Sequence, residues 1–202
     1  MALQSFQICY DDGVTGSVCQ PAITVTPEIL FSDTFTDTNG TLISAHTPDV
    51  GSGGYTWLAQ TNADEPTIVT PGGYLADSWD NRPSWPGGFA LVESSVSDCV
   101  ITVDVRQNAT AIGDSHGIVF RQSGSDFNNY WLAVIKVNEA TNDFRLIKTV
   151  GGVTTTPDVA AVSLSYDTWY TIQVTLSGSS ITATLDGGNT LSATDTDPVS
   201  YT

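Results

Sequence analysis

The fold class of this chain is decided by the stretch Trp169-Tyr-Thr-Ile-Gln-Val-Thr-Leu-Ser-Gly-Ser-Ser-Ile-Thr-Ala-Thr-Leu-Asp-Gly187. Its first half alternates cleanly, and it places Tyr170, Ile172, Val174 and Leu176 on one side. A hydrophobic period of two predicts a half-buried β-strand. The Ser-Gly-Ser-Ser run at 177–180 predicts a turn into a second strand, and Asp-Gly predicts the next reversal.

The same pattern extends through the C-terminal half of the sequence. In 98–106, Ile101, Val103 and Val105 point to one side of a predicted strand. Further predicted strands cover 117–121, 129–137, 144–150 and 181–185. Apolar residues nowhere recur with the helical spacing over three turns. Short strands separated by turn signals predict an all-β fold, an antiparallel two-sheet sandwich with a short N-terminal extension.

The composition limits the partners that this sandwich can have. The 202 residues include 6 Lys+Arg and 22 Asp+Glu, which gives a formal net charge of −16. Nucleic acids and anionic membranes are bound through positive surfaces, so neither is an expected partner. No apolar run approaches the roughly 20 residues that span a bilayer.

The first 28 residues differ in character from the rest. They contain no early Lys or Arg and no apolar core typical of a secretory signal. Cys9 and Cys19 flank the turn-like 11–16 and would face each other across a hairpin. A disulfide there would stabilise the loop by roughly 2–4 kcal/mol, and two reduced cysteines are the alternative. We assign 1–28 to an attachment segment or hairpin and 29–202 to the sandwich.

Several short motifs resemble one family. They are Phe31-Ser-Asp-Thr-Phe35, Asn39-Gly-Thr-Leu42, Gly117-Ile-Val-Phe-Arg121, the pair Tyr130-Trp131 and the stretch that begins at Trp169. Together they resemble the concanavalin A-like (laminin-G-like) jelly-roll domains of bacterial surface proteins, glycosidases and phage virion proteins. The resemblance covers about 29–196 and implies a jelly-roll sandwich.

The end of the chain departs from this family. Its members usually add a strand after the Asp-Gly hairpin, whereas this sequence runs into Asp197-Pro-Val-Ser-Tyr-Thr202. Either another element or a partner chain covers the sheet edge, or the natural protein continues. We favour continuation, because an uncovered edge promotes association.

Retaining glucanases have this kind of sandwich, so the spacing of the carboxylate residues indicates whether this chain is expected to be catalytic. Those enzymes carry Glu-x-Asp-x-Glu or Glu-x-Asp-x-x-Glu, with two carboxylates about 5–5.5 Å apart. The glutamates of this chain are Glu28, Glu65, Glu93 and Glu139, and none has Asp at that spacing. The sequence also lacks a Gly-x-Ser-x-Gly elbow. We therefore predict that the chain is not an enzyme.

A glycan-binding role rests on aromatic and polar residues that occur together. Sugar sites combine flat aromatic faces with hydrogen-bonding side chains. We predict a ligand site formed by Tyr74, Trp79, Asp80, Asn81, Arg82 and Trp85, with Arg121 and Tyr130 at its edge. The alternative is that Trp79 and Trp85 plug one end of the sandwich. Trp57, Trp131 and Trp169 are assigned to the core.

The family resemblance also implies a structural calcium ion near the first strand. Asp33, Asp37 and Asn39 are oxygen donors close together there, and Asp195 and Asp197 would approach them from the end of the chain. The alternative is that 37–40 forms a simple turn.

These features, together with the resemblance, lead to a functional hypothesis. We expect a virion-surface protein, a phage decoration, spike or tail-fibre subunit, whose sandwich binds host glycans or mediates adhesion. Other virion proteins would be bound through 1–28, and we expect a homo-oligomer. One alternative is a purely structural decoration subunit, and another is an accessory carbohydrate-binding module of a larger glycosidase. An extracellular or cell-surface location is the alternative to the virion.

Overall fold

In the residues that the structure describes, the fold is nearly all β, with 18 strands and one short 3-10 turn at Ile43–Ala45. The computed structural model describes residues 28–51, 55–57, 66–70, 90–92, 94, 96–108, 115–123, 128–137 and 142–196. It describes the backbone alone for 4–6, 9–11, 17–19, 23–25, 58–60, 74–76 and 89. No helix in this part of the chain is long and apolar enough to cross a membrane.

The N-terminal segment contains four short strands, β1 (Gln4–Phe6), β2 (Cys9–Asp11), β3 (Ser17–Cys19) and β4 (Ile23–Val25). β2 pairs with β3 and β1 pairs with β4, both antiparallel, so one hairpin is nested inside the other. The register places Cys9 directly opposite Cys19, as the predicted hairpin requires. Their side chains lie outside the described residues, so the disulfide stays a prediction.

Six short strands follow before residue 92. They are β5 (Phe31–Ser32), β6 (Val50–Gly51), β7 (Leu58–Gln60), β8 (Thr67–Val69), β9 (Tyr74–Ala76) and β10 (Phe89–Leu91). They pair antiparallel as β5 with β6, β7 with β10 and β8 with β9. No strand is predicted from the sequence for 64–88, so β8 and β9 are additions by the structure.

The C-terminal half forms two four-stranded antiparallel sheets. Sheet A has the order β11-β16-β17-β18, and sheet B has the order β12-β13-β14-β15. The strands are β11 (Val100–Arg106), β12 (Ser115–Ser123), β13 (Asn129–Lys136), β14 (Asp143–Val150), β15 (Val153–Ala161), β16 (Trp169–Ser177), β17 (Ser180–Leu185) and β18 (Asn189–Thr194). The predicted antiparallel sandwich is thus confirmed.

The core lies between the two sheets. Ile172, Val174 and Leu176 of β16 are buried, as their alternation predicts, and they pack in one cluster with Phe144 and Trp131 of sheet B. Apolar burial of this kind contributes about 25 cal/mol per Å2 removed from water. The period of two in the sequence therefore identifies the side of sheet A that faces the core.

The inner strand β13 of sheet B is buried on its second side as well. Tyr130, Leu132 and Val134 alternate with the core residues of β13, yet each is only 3% exposed, and they cluster with Ile147. Strand β13 therefore has no polar side, which explains why its sequence is almost continuously apolar. Sheet A differs, because its side away from the core carries mostly exposed polar residues.

Two edge strands were not predicted. β15 contains Pro157 and a run of threonines rather than an alternation, and a proline is tolerated where no ladder hydrogen bond is needed. β18 follows the Asp-Gly reversal, so the strand that the family pattern places there is present. Asp158 of β15 accepts a hydrogen bond of 2.9 Å from the Ser192 amide of β18, and this contact joins the edges of the two sheets.

Gly117 fills a position that excludes any side chain. It lies in β12 directly opposite Val134, and a Cβ atom there would overlap the Ala133 carbonyl and lie 2.7 Å from the Val134 Cα. The glycine therefore allows β12 and β13 to approach each other closely at the centre of sheet B.

Candidate functional site

The ligand site predicted around 74–85 lies almost entirely outside the described residues. Five of the predicted residues lie outside the described part of the chain, namely Trp79, Asp80, Asn81, Arg82 and Trp85. Tyr74 is described only by its backbone, as the first residue of β9. Their role in binding a glycan therefore stays a prediction.

Arg121 and Tyr130 are described, and both side chains lie inside the protein. Tyr130 is 3% exposed, and the Arg121 side chain is 6% exposed. Arg121 lies at a β-bulge in β12 and has a φ of +50°, a conformation that bends the strand and re-aims the side chain. The guanidinium donates to Asp195 at 3.2 Å and to the Gly178 carbonyl. Its observed contacts thus join the two sheets.

Asp195 is the centre of this inter-sheet cluster. Its side chain is 1% exposed, and its carboxylate contacts Arg121, Lys148 at 3.1 Å and the Trp131 indole N–H at 3.1 Å. The Lys148 ammonium also lies 5.2 Å from the centre of the Trp131 ring, within cation–π range. The expectation that Asp195 approaches the proposed calcium donors is wrong, because its carboxylate is bound here. Asp197 lies outside the described residues.

The three proposed calcium donors are all engaged in contacts with protein groups. Asp33 bonds His46 Nε2 at 2.9 Å and accepts from the Trp57 indole N–H, and Asp37 bonds His46 Nδ1 at 3.1 Å. Asn39 accepts from the Thr70 amide at 3.0 Å. Across the described ranges, no group of three or more His, Cys, Asp or Glu could hold a metal ion. The calcium ion stays a prediction.

His46 occupies the space between the two carboxylates. A neutral imidazole has only one N–H, so bonding a carboxylate at each nitrogen requires the doubly protonated ring. Burial opposes that charge, but the hydrogen bonds to Asp33 and Asp37 outweigh it and raise the pKa of His46. The same contact, with help from the Thr38 amide, lowers the pKa of Asp37. His46 is therefore suited to hold this loop together and not to accept a proton as a base.

A shallow depression of about 280 Å3 lies beside His46. Thr47, Pro48, Gly51 and Tyr55 line it, and the Tyr55 hydroxyl donates to the Ser94 carbonyl at 3.1 Å. Both ring nitrogens of His46 bond carboxylates, so the histidine adds no vacant acceptor to this depression. The hydrogen bonds around His46 therefore have a structural role and stabilise this loop.

The assignment of Trp169 to the core is wrong. Trp131 is buried as predicted, but Trp169 is 47% exposed at the start of β16. It lies on the side of sheet A away from the core, which we call the outer face. The Arg106 guanidinium lies 5.1 Å from the centre of its ring. An aromatic ring is thus presented at one end of the outer face.

Most of the remaining outward positions of sheet A are occupied by polar residues; an exception is Val100, which lies opposite Thr175 and is 39% exposed. The register places Asp104 opposite Thr171 and Thr102 opposite Gln173, in consecutive outward positions after the Arg106–Trp169 pair. Thr171 Oγ1 donates to Asp104 at 2.6 Å, and Gln173 Nε2 donates to Thr102 at 3.2 Å. On β17 and β18 the outward residues are threonines and serines, namely Ser180, Thr182, Thr184, Thr190, Ser192 and Thr194.

Trp169 was missed although its sequence contained the signal. Tyr170, Ile172 and Val174 define the core side of β16, so the residue immediately before Tyr170 must point outward. The general tendency of tryptophan to be buried favours the core, but the alternation in β16 places this residue on the opposite side. Strand parity was the more reliable guide because it is set by backbone geometry.

Comparisons with known proteins give little further information. No protein-family model matches this chain, and no curated protein sequence matches it. Among solved structures the chain is similar to the carbohydrate binding module CBM66 from Bacillus subtilis, with 21% identity and a TM-score of 0.47. The similarity covers 54% of this chain and 65% of that module, which is less than two thirds of its length. A likeness of this extent assigns neither a family nor a ligand to the chain.

Proposed function

We propose that this chain is a non-catalytic glycan-binding module and that the outer face of sheet A is its binding surface. The observation that carries the proposal is the exposure of Trp169. Tryptophan is enriched at binding interfaces, and Trp169 is 47% exposed, so its flat ring is available for such a contact. Its neighbours on the face are hydrogen-bonding side chains, so the surroundings suit a ligand with both apolar and polar groups.

The chemistry of a sugar fits this arrangement. The C–H side of a pyranose packs on a flat aromatic ring, while its hydroxyls donate to carboxylates and exchange hydrogen bonds with amides and hydroxyls. On the outer face the ring of Trp169 is followed by the pair Asp104–Thr171 and, at the next outward position, by Gln173. Side chains held in a regular ladder lose less conformational freedom on binding than those on a flexible loop.

The experiment is a glycan-array screen followed by titration of the bound glycans. Trp169→Ala removes the aromatic ring from a position that is half exposed, so we expect the variant to fold normally. Truncating a central aromatic contact costs at least about 2 kcal/mol, which weakens the Kd roughly 30-fold. Thr156→Ala, on the exposed strand β15, is the matched control and should leave the Kd unchanged. Unchanged glycan binding by Trp169→Ala would show that the outer face is not the site.

The same titration compares this face with the site predicted from sequence. Trp79→Ala and Trp85→Ala remove the aromatic residues of the stretch 74–85. If these variants lose binding while Trp169→Ala retains it, the ligand binds that stretch and the outer face has another role. If only Trp169→Ala loses binding, the outer face alone provides the aromatic contact.

The location that we propose is a virion surface, where the module would attach to host glycans and other copies of the chain. Two considerations support it, the resemblance to domains of phage virion proteins and the net charge of −16, which keeps a high-copy surface protein soluble. Mass spectrometry of purified particles, with antibody labelling of intact particles, tests the location. A protein found only outside particles would favour the accessory module of a glycosidase.

A further inference from the structure

The outer face carries an excess of carboxylates beside Trp169. Asp104 and Asp186 are both exposed and lie on either side of Thr171. Thr171 uses its hydroxyl to donate to Asp104 at 2.6 Å and its amide to donate to Asp186 at 2.8 Å. A carboxylate can accept about four hydrogen bonds, so each retains acceptor capacity.

The positive charge on this face is smaller. Asp98, which accepts from the Gly178 amide at 2.8 Å, is a third exposed carboxylate at the far end of sheet A. Among the described residues of the outer face, Arg106 is the cation, and its guanidinium lies against Trp169. The chain as a whole has a formal net charge of −16. A ligand that carries carboxylate or sulfate groups would therefore approach a surface of its own sign.

We infer that the outer face selects uncharged glycans, which donate their hydroxyls to Asp104 and Asp186, and rejects uronic, sialylated and sulfated glycans. This inference rests on the proposed function and names its ligand class. A sugar hydroxyl is a hydrogen-bond donor, so it satisfies the carboxylates that an anionic group would only repel. Because the recognised ligand is neutral, its affinity should depend little on ionic strength.

The shape of the face adds a preference for chain length. From Trp169 to Thr175 the outward positions of β16 extend over six residue steps, or about 20 Å at 3.4 Å per step. The described side chains along this line are threonine and glutamine, flanked by the hydroxyls of β17. The line is longer than one monosaccharide, so consecutive sugars of one chain can contact it together. We expect the Kd to improve with oligosaccharide length.

The test uses a glycan array with neutral glycans and their sialylated, uronic and sulfated counterparts, read at 50 and 500 mM NaCl, roughly a threefold change in Debye length. We expect binding to neutral glycans, at least tenfold tighter than to their anionic counterparts and changing less than twofold with salt. Asp104→Asn should reduce that discrimination at least threefold. Glu28→Gln, an exposed residue before β5, changes the net charge equally and should leave it intact.

The outcomes separate the two proposals. Anionic glycans bound as tightly as neutral ones, with the binding lost in Trp169→Ala, would overturn the selectivity while glycan binding itself stands. Steep salt dependence, or tighter binding of monosaccharides than of oligosaccharides, would also overturn it. Binding of no glycan, or binding that ignores Trp169→Ala, would overturn the proposed function and this inference with it.

Discussion

Asp195→Asn is a substitution for which the structure predicts a large loss of stability. The carboxylate of Asp195 is nearly fully buried and contacts two cations, Arg121 at 3.2 Å and Lys148 at 3.1 Å. Asparagine has almost the same shape but no charge, and its carbonyl oxygen can still accept from the Trp131 indole. The change therefore removes the charge from the cluster and leaves the packing in place.

The magnitude follows from the burial of the partners. Removing one partner of a buried ion pair typically costs 3–5 kcal/mol, because the remaining charge stays desolvated. The Arg121 side chain is only 6% exposed, whereas Lys148, at 15%, can move towards water more easily. We therefore expect a loss near the lower limit, about 3 kcal/mol. For a chain of this size that lowers Tm by about 6–12 °C.

Urea denaturation followed by tryptophan fluorescence, together with calorimetry, measures this loss. Asp186→Asn is the control, because Asp186 is exposed and has a φ of +49° that asparagine tolerates, and among the described residues its side chain accepts only from the Thr171 amide. It should change the free energy of unfolding by less than about 0.5 kcal/mol. A loss below about 1 kcal/mol for Asp195→Asn would refute the reasoning, because Arg121 and Lys148 would then be solvated without the carboxylate.

Three further predictions concern other parts of the chain. Gly117→Ala should cost at least about 2 kcal/mol in urea denaturation, because the added Cβ overlaps the neighbouring strand, and a normal unfolding midpoint would contradict this. Because the pKa of His46 is raised in the folded state, its contribution to stability is fully present below pH 6.5 and is lost as the pH rises through the folded-state pKa. His46→Gln should flatten this dependence of the free energy of unfolding on pH, and an unchanged slope would exclude His46 as its source. If Cys9 and Cys19 form the expected disulfide, reduction adds two hydrogens to the intact mass, and an unchanged mass would mean that they are reduced in the purified protein.

The sandwich could be predicted because the residue patterns that specify its strands and turns are local in the sequence. In β16, Tyr170, Ile172 and Val174 are spaced so that backbone geometry alone assigns a core side. The following turn is equally local, since Gly178 has a φ of +54° that favours glycine. Strand β15 lacks such a signal, because an exposed edge strand has no buried row to alternate with. Its existence depends on pairing with β14, which its own residues do not encode.

The contacts of the candidate sites were harder to predict because they depend on distant residues. Arg121 and Asp195 are separated by 74 positions, and their contact requires the packing of sheet B on sheet A. The resemblance implies a calcium ion that Asp195 would approach, and nothing in the sequence indicates that Arg121 is its partner. Strand parity would have placed Trp169 outward, but parity gives no information about which outward residues form a site.

The different environments of the two sheets explain why one face is available to a ligand. In sheet B, β13 has apolar residues on both sides and both sides are buried, so a ligand cannot reach this strand without unfolding part of the protein. Sheet A buries only the side with Ile172 and Val174 and exposes the side with Trp169. Burying Trp169 instead would have required shifting β16 by one residue, which would expose its whole apolar row to water. The core of the sandwich therefore holds this ring outward, and substitutions on the outer face should change binding while leaving stability almost unchanged.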